Sequence, residues 1–167
     1  MGISIPRIFV EIENSKIQEF IESGRAKKRM LIVKDSGEIK LIEIGDQFKN
    51  IDGKIYVQEI YDDAYKWLID LENGIIMRNS IIITPNGEYI FLKKGKRVYL
   101  FEAMGRIVVP LVKVGEKILS GRRIAAIFTG KREVRYLRSD SAGKIVYIAQ
   151  IEIKPQRYLI VLIPRED

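Results

Sequence analysis

The sequence predicts a mainly β protein with some α. An α+β part covers residues 1–104, and a small β barrel or sandwich covers residues 105–167. Three observations carry this. Short β-branched runs alternate with turn residues such as Asp35-Ser36-Gly37, Pro85-Asn86-Gly87 and Gly115. Helical spacing is confined to Ile17–Ile21 and Ile60–Leu71. The charge also divides. Residues 1–104 hold 16 Lys+Arg and 16 Asp+Glu, residues 105–167 hold 13 and 6, and the whole net charge of +7 falls on the second part. The predicted boundary is Met104–Gly105.

Taken in order, Ile3 to Ile12 predicts a strand with Ile8, Val10 and Ile12 on one face and Glu11 and Glu13 on the other. Asn14 or Ser15 can cap a short helix carrying Ile17, Phe20 and Ile21, and Gly24 ends it. Arg25 to Arg29 is a basic helix-to-strand loop. Met30–Val33 and Ile39–Ile44 form a hairpin about Asp35–Glu38. Ile55–Val57 is a strand, followed by a helix from about Asp62 to Asp70. Tyr56, Tyr61, Tyr65 and Trp67 could stack a ligand, but such spacing belongs more often to a core. Asp62 and Asp63 suit a helix start, where the macrodipole favours acids. With Asp70 and Glu72 they are the carboxylates that a catalytic reading would need. Ile75–Met77, Ser80–Thr84, Glu88–Leu92 and Val98–Phe101 are further strands.

The second part is built of shorter runs. Val112 and Val114 share one side of an extended chain and Lys113 the other, with Gly115 ending the run. Ile118-Leu119 and Ile124–Phe128 follow. Gly105-Arg-Ile-Val and Gly143-Lys-Ile-Val begin two similar units. Each unit ends in an apolar strand, Ile124–Phe128 or Tyr158–Ile163, which predicts a twofold-repeated set of strands.

The pattern Val112-x-Val114-Gly115-Glu116-x-Ile118-x-x-Gly121-x-x-Ile124 resembles the first half of a biotinyl/lipoyl carrier domain, and Gly143–Val146 resembles the strand that follows its modified hairpin. The resemblance implies a barrel-sandwich hybrid fold over Gly105–Ile163. It also implies a hairpin tip near Lys131-Arg132, where a carrier presents its modified lysine. Neither Glu-Ala-Met-Lys nor Asp-Lys-Ala stands there; Phe128-Thr129-Gly130 precedes Lys131 instead. Lys131 as a cofactor-bearing residue is therefore the alternative reading, and the expectation is no cofactor. The whole chain resembles the archaeal domain-of-unknown-function family 2118, which brings no reaction to transfer.

Composition excludes several chemistries. There is no Cys and no His. Thiol nucleophiles, disulfides, thiolate or imidazole metal sites and Ser/His pairs are thus unavailable. No phosphate loop or nucleophile elbow occurs. No run reaches the roughly 20 apolar residues of a membrane helix, and the N-terminus has no signal-peptide pattern. The expectation is a cytoplasmic, non-catalytic interaction or scaffold protein with a protein partner, and a homodimer. An anionic partner such as nucleic acid is the competing expectation. It rests on Lys131–Arg138, with Arg132, Arg135 and Arg138 as anion-binding residues. In an extended strand Lys131 and Arg135 face one way, Arg132 and Arg138 the other, and Tyr136 is the single aromatic available for stacking.

Overall fold

The computed structural model describes residues 5–16, 19, 26–43 and 53–165. It is mainly β with a little α. The chain divides into two compact units, Met1–Leu68 with Met77–Gly95, and Ile69–Ile76 with Lys96–Asp167.

The first unit is one antiparallel sheet. Its strands are β1 (Arg7–Ile12), β2 (Ala26–Val33), β3 (Ile39–Glu43), β4 (Lys54–Glu59), β7 (Ser80–Ile83) and β8 (Tyr89–Leu92), in the order β3-β2-β4-β1-β7-β8. Strand β1 lies inside the sheet, laddered on one edge to β4 and on the other to β7. Ile8, Phe9 and Val10 are all buried, where alternation had assigned only one face to the core. Phe9 packs with Leu31, Tyr56, Ile81 and Ile83. The basic run Ala26–Arg29 lies in β2 rather than in a loop, and a register shift between Ala26 and Met30 accommodates it. The helix expected from Asn14 or Ser15 to Gly24 falls mostly outside the described residues; Asn14–Lys16 is a 3₁₀ turn.

The helix expected over Asp62–Asp70 is shorter. A 3₁₀ turn at Tyr61–Asp63 leads into α1 (Tyr65–Leu68). The chain then extends, because Ile69-Asp70 (β5) pairs with Ile75-Ile76 (β6). That hairpin belongs to the second unit.

The rest of the second unit is two sheets on one core. Strands β9 (Tyr99–Gly105), β11 (Lys117–Ile118), β14 (Gly143–Glu152) and β15 (Gln156–Pro164) form a sheet in the order β11-β14-β15-β9. Strands β10 (Ile107–Pro110), β12 (Arg123–Phe128) and β13 (Val134–Arg138) form the other, in the order β10-β12-β13. Val108, Ile124 and Ala125 from the small sheet meet Ala103, Ile118, Ile145, Ile160 and Leu162 from the large one. The compact units do not divide at Met104–Gly105. Strand β9 runs through that point and pairs with β15 over seven residues, Tyr99 to Gly105, which binds it to the second unit. Val112–Val114 is not a strand, yet Val112 and Val114 are buried and Lys113 is exposed, as the alternation required.

The two repeats are visible in the pairing. Strand β10 pairs with β12 as β14 pairs with β15. The leading glycines differ in setting: Gly105 ends β9 and Gly143 begins β14. A Cβ on Gly105 would lie 2.6 Å from Ile127 Cγ2 and 3.2 Å from the Phe128 carbonyl oxygen. A Cβ on Gly143 would overlap the Ile163 carbonyl oxygen and lie 3.0 Å from its carbon. Close approach of the paired backbone, not an unusual φ, requires glycine at Gly143.

Candidate functional site

The small sheet has one face on the core and one toward solvent. A register shift between Arg123 and Ala125 lets consecutive Ile124 and Ala125 both face inward. Beyond it the alternation resumes, with Ile127 and Leu137 packed against the core. The opposite face carries two rows of paired side chains. Ile107 pairs with Phe128, and Phe128 with Val134; Val109 pairs with Ala126, and Ala126 with Tyr136. Direct cross-strand partners share a face and touch. Ile107, Val109, Phe128, Val134 and Tyr136 are nevertheless 39–49% exposed. Contiguous apolar surface of this kind, rimmed by charge, marks an interaction site. Phe128 and Tyr136 are diagonal neighbours on it, so Tyr136 is not the single aromatic available.

Arginines border this face at one end. The Arg123 guanidinium lies 4.1 Å from the centroid of Tyr136, a cation–π contact. Arg138 shares the strand parity of Tyr136 and donates to the Gly121 carbonyl oxygen at 3.0 Å. At the other end, Thr129–Glu133 closes the β12–β13 hairpin, with the Thr129 amide donating to the Glu133 carbonyl oxygen at 3.0 Å. Lys131 and Arg132 are exposed in this loop, and Arg132 has φ 63°. The left-handed conformation costs a non-glycine residue roughly 1–2 kcal/mol. Arg106, whose amide donates to the Phe128 carbonyl oxygen at 3.0 Å, immediately precedes β10 at the same end.

The sequence-predicted residues therefore separate. Arg138 joins Arg123 and Tyr136. Lys131 and Arg132 sit together in the loop, where strand parity does not apply because β13 starts at Val134. Arg135 alternates to the other side, 3.5 Å from Glu133. Phe128, Ile107 and Val109 were missed. Their signal was present: Ile107-Val108-Val109 and Ala125–Phe128 are apolar at both parities, more than one buried face needs.

Other candidates resolve into structure. Tyr56 and Tyr61 are buried, and burial, with Glu11 nearby, pushes the Tyr56 hydroxyl above its ordinary range. Asp70 accepts from the Asn73 side chain at 2.8 Å and from the amides of Asn73 and Glu72 at 3.1 and 3.0 Å. The Asn73 side chain, then its amide, holds this carboxyl below the usual range. That suits a turn rather than a general acid. A cavity of about 390 Å³ is lined by Lys117, Ile118, Leu119, Gly143, Lys144 and Arg165, with no carboxylate or hydroxyl side chain among them. Among the described residues no group of three or more His, Cys, Asp or Glu could hold a metal ion. No helix among them is long and apolar enough to cross a membrane.

Comparison with known proteins gives the same silence on chemistry. A family described as "Uncharacterized protein conserved in archaea (DUF2118)" matches residues 3–165. The "Uncharacterized protein MJ0859" of Methanocaldococcus jannaschii is 26% identical over 167 residues, covering 98% of this chain and 93% of that one.

Proposed function

Because the chain belongs to the archaeal DUF2118 family, whose description carries no activity, we infer its function from geometry: it is a non-catalytic interaction protein that docks its partner on the open face of the β10-β12-β13 sheet. One observation carries this reading, the two paired apolar rows left half-exposed across all three strands. A sheet face with no role beyond solubility alternates apolar-in and polar-out, and this one does not.

The second unit is read as a barrel-sandwich hybrid without the carrier's modification. Two sheets on one core, the like pairing of β10 with β12 and of β14 with β15, and a hairpin tip at Lys131-Arg132 support that reading. Lys131 is taken as part of the basic loop, since Gly130 and Arg132 flank it in place of a carrier motif. A second copy is a poor occupant, because a twofold through the middle of the face would set Arg123 and Arg138 of one copy against Arg106, Lys131 and Arg132 of the other, like charge against like.

The test is capture from an extract of the source cells, with the full chain and with the double variant Phe128→Ser, Tyr136→Ser. Both positions are exposed, so folding is kept, which circular dichroism checks. The expected result is a component recovered by the unaltered protein and lost from the variant. Equal recovery by both would remove the face from the function.

A further inference from the structure

We propose that the ligand of this face is single-stranded nucleic acid, held by stacking and by phosphate contacts without reading of sequence; the proposal rests on the interface reading above. The layout matches what a flexible polyanion with planar bases requires. Phe128 and Tyr136 lie on one face in diagonal register. The Arg123 guanidinium over Tyr136 adds a further plane on which a base can stack. Base–aromatic stacking tolerates any sequence because every base has a π-face.

The cations sit where a backbone would pass. Arg106, Lys131 and Arg132 stand at the hairpin-loop end, and Arg123 and Arg138 at the opposite end. Val134 to Arg138 spans about 13 Å of strand, enough for a few nucleotides to cross the aromatic centre between the two cationic ends. Between Arg122, itself paired with Glu116 at 3.0 Å, and Ser139 the sequence holds five bases and one acid, Glu133. That acid is turned to Arg135 at 3.5 Å, on the other side of the strand. The face itself presents few groups able to read base edges. Its centre is hydrocarbon and ring, so contacts to phosphate would position the strand and stacking would hold it. A duplex hides its bases' π-faces and would meet only the cations.

The experiment is fluorescence anisotropy of the full chain with a labelled 12-nucleotide oligouridylate and with an RNA duplex of the same length. The single strand is expected to bind more tightly at low salt. Its log–log salt slope should be about −2 to −3, the value for three or four neutralised phosphates. Phe128→Ala and Tyr136→Ala are each expected to weaken binding about tenfold. Arg132→Ala and Arg138→Ala should each flatten the slope by about 0.7. No binding at low salt, tighter binding of the duplex, or full affinity in both aromatic variants would overturn the proposal. If the oligonucleotide fails while the Phe128→Ser, Tyr136→Ser variant still loses a nuclease-resistant protein from the extract, the nucleic-acid assignment falls and the interface stands. If both experiments are negative, both readings fall.

Discussion

Gly143→Ala is expected to lower the melting temperature by about 10 °C, a loss of about 3 kcal/mol. The added Cβ would overlap the Ile163 carbonyl oxygen and crowd Leu162 Cδ2 at 3.0 Å. The first of these is backbone in the paired strand, and it cannot move without opening the β14–β15 ladder at Gly143–Pro164 and Lys144–Ile163. That ladder carries Ile145, Ile160 and Leu162 into the core, so local opening loosens the packing of the whole second unit. Gly105→Ala is the control. There the closest atom is the Cγ2 methyl of Ile127, a side-chain atom rather than the backbone of a ladder, and a smaller loss is expected. Thermal unfolding followed by circular dichroism checks both. An unchanged midpoint for Gly143→Ala would show that the strand approach is looser than described.

Phe9→Ala is expected to cost about 3–5 kcal/mol, the usual range for emptying a buried phenylalanine site. Phe9 is fully buried in the central strand, paired with Gln58 on β4 and Ile81 on β7. Its neighbours Leu31, Tyr56, Ile81 and Ile83 come from three other strands, β2, β4 and β7. Strands held on both sides by ladders cannot close over the cavity. Urea denaturation measures the change, and a shift below 1 kcal/mol would contradict the packing described.

Strand and turn positions were legible in the sequence where one physical signal dominated. Gly37 and Gly87 end in the left-handed region within the turns that Asp35-Ser36-Gly37 and Pro85-Asn86-Gly87 announced. Val112 and Val114 kept their burial even without a ladder. What was not legible depended on pairing partners distant in the chain. Phe9 is buried because Leu31, Tyr56, Ile81 and Ile83, from three other strands, gather around it. Strand β9 joins the second unit through β15, more than fifty residues later. Ile69-Asp70 leaves the helical pattern because Ile75-Ile76 supplies a ladder. The open face was missed for the same reason. The residues Ile107, Val109, Phe128 and Tyr136 are scattered over thirty positions, and only the registers of β10, β12 and β13 gather them. The basic residues were legible as a cluster, but their division between the face, the loop and the far side of β13 was not.

Site-directed photo-crosslinking tests the central claim, that the open face of the small sheet is where this protein meets its partner. A benzoylphenylalanine in place of Val109, 42% exposed on the edge strand β10 of the face, is compared with one in place of Phe91, 54% exposed in the first unit. Both proteins are irradiated in extract of the source cells and their adducts separated by size. The expected result is adducts from position 109, a smear removed by nuclease if the partner is nucleic acid and a discrete band if it is a protein, and none from position 91. Adducts from position 91 alone, or none from position 109 under conditions where capture succeeds, would contradict it.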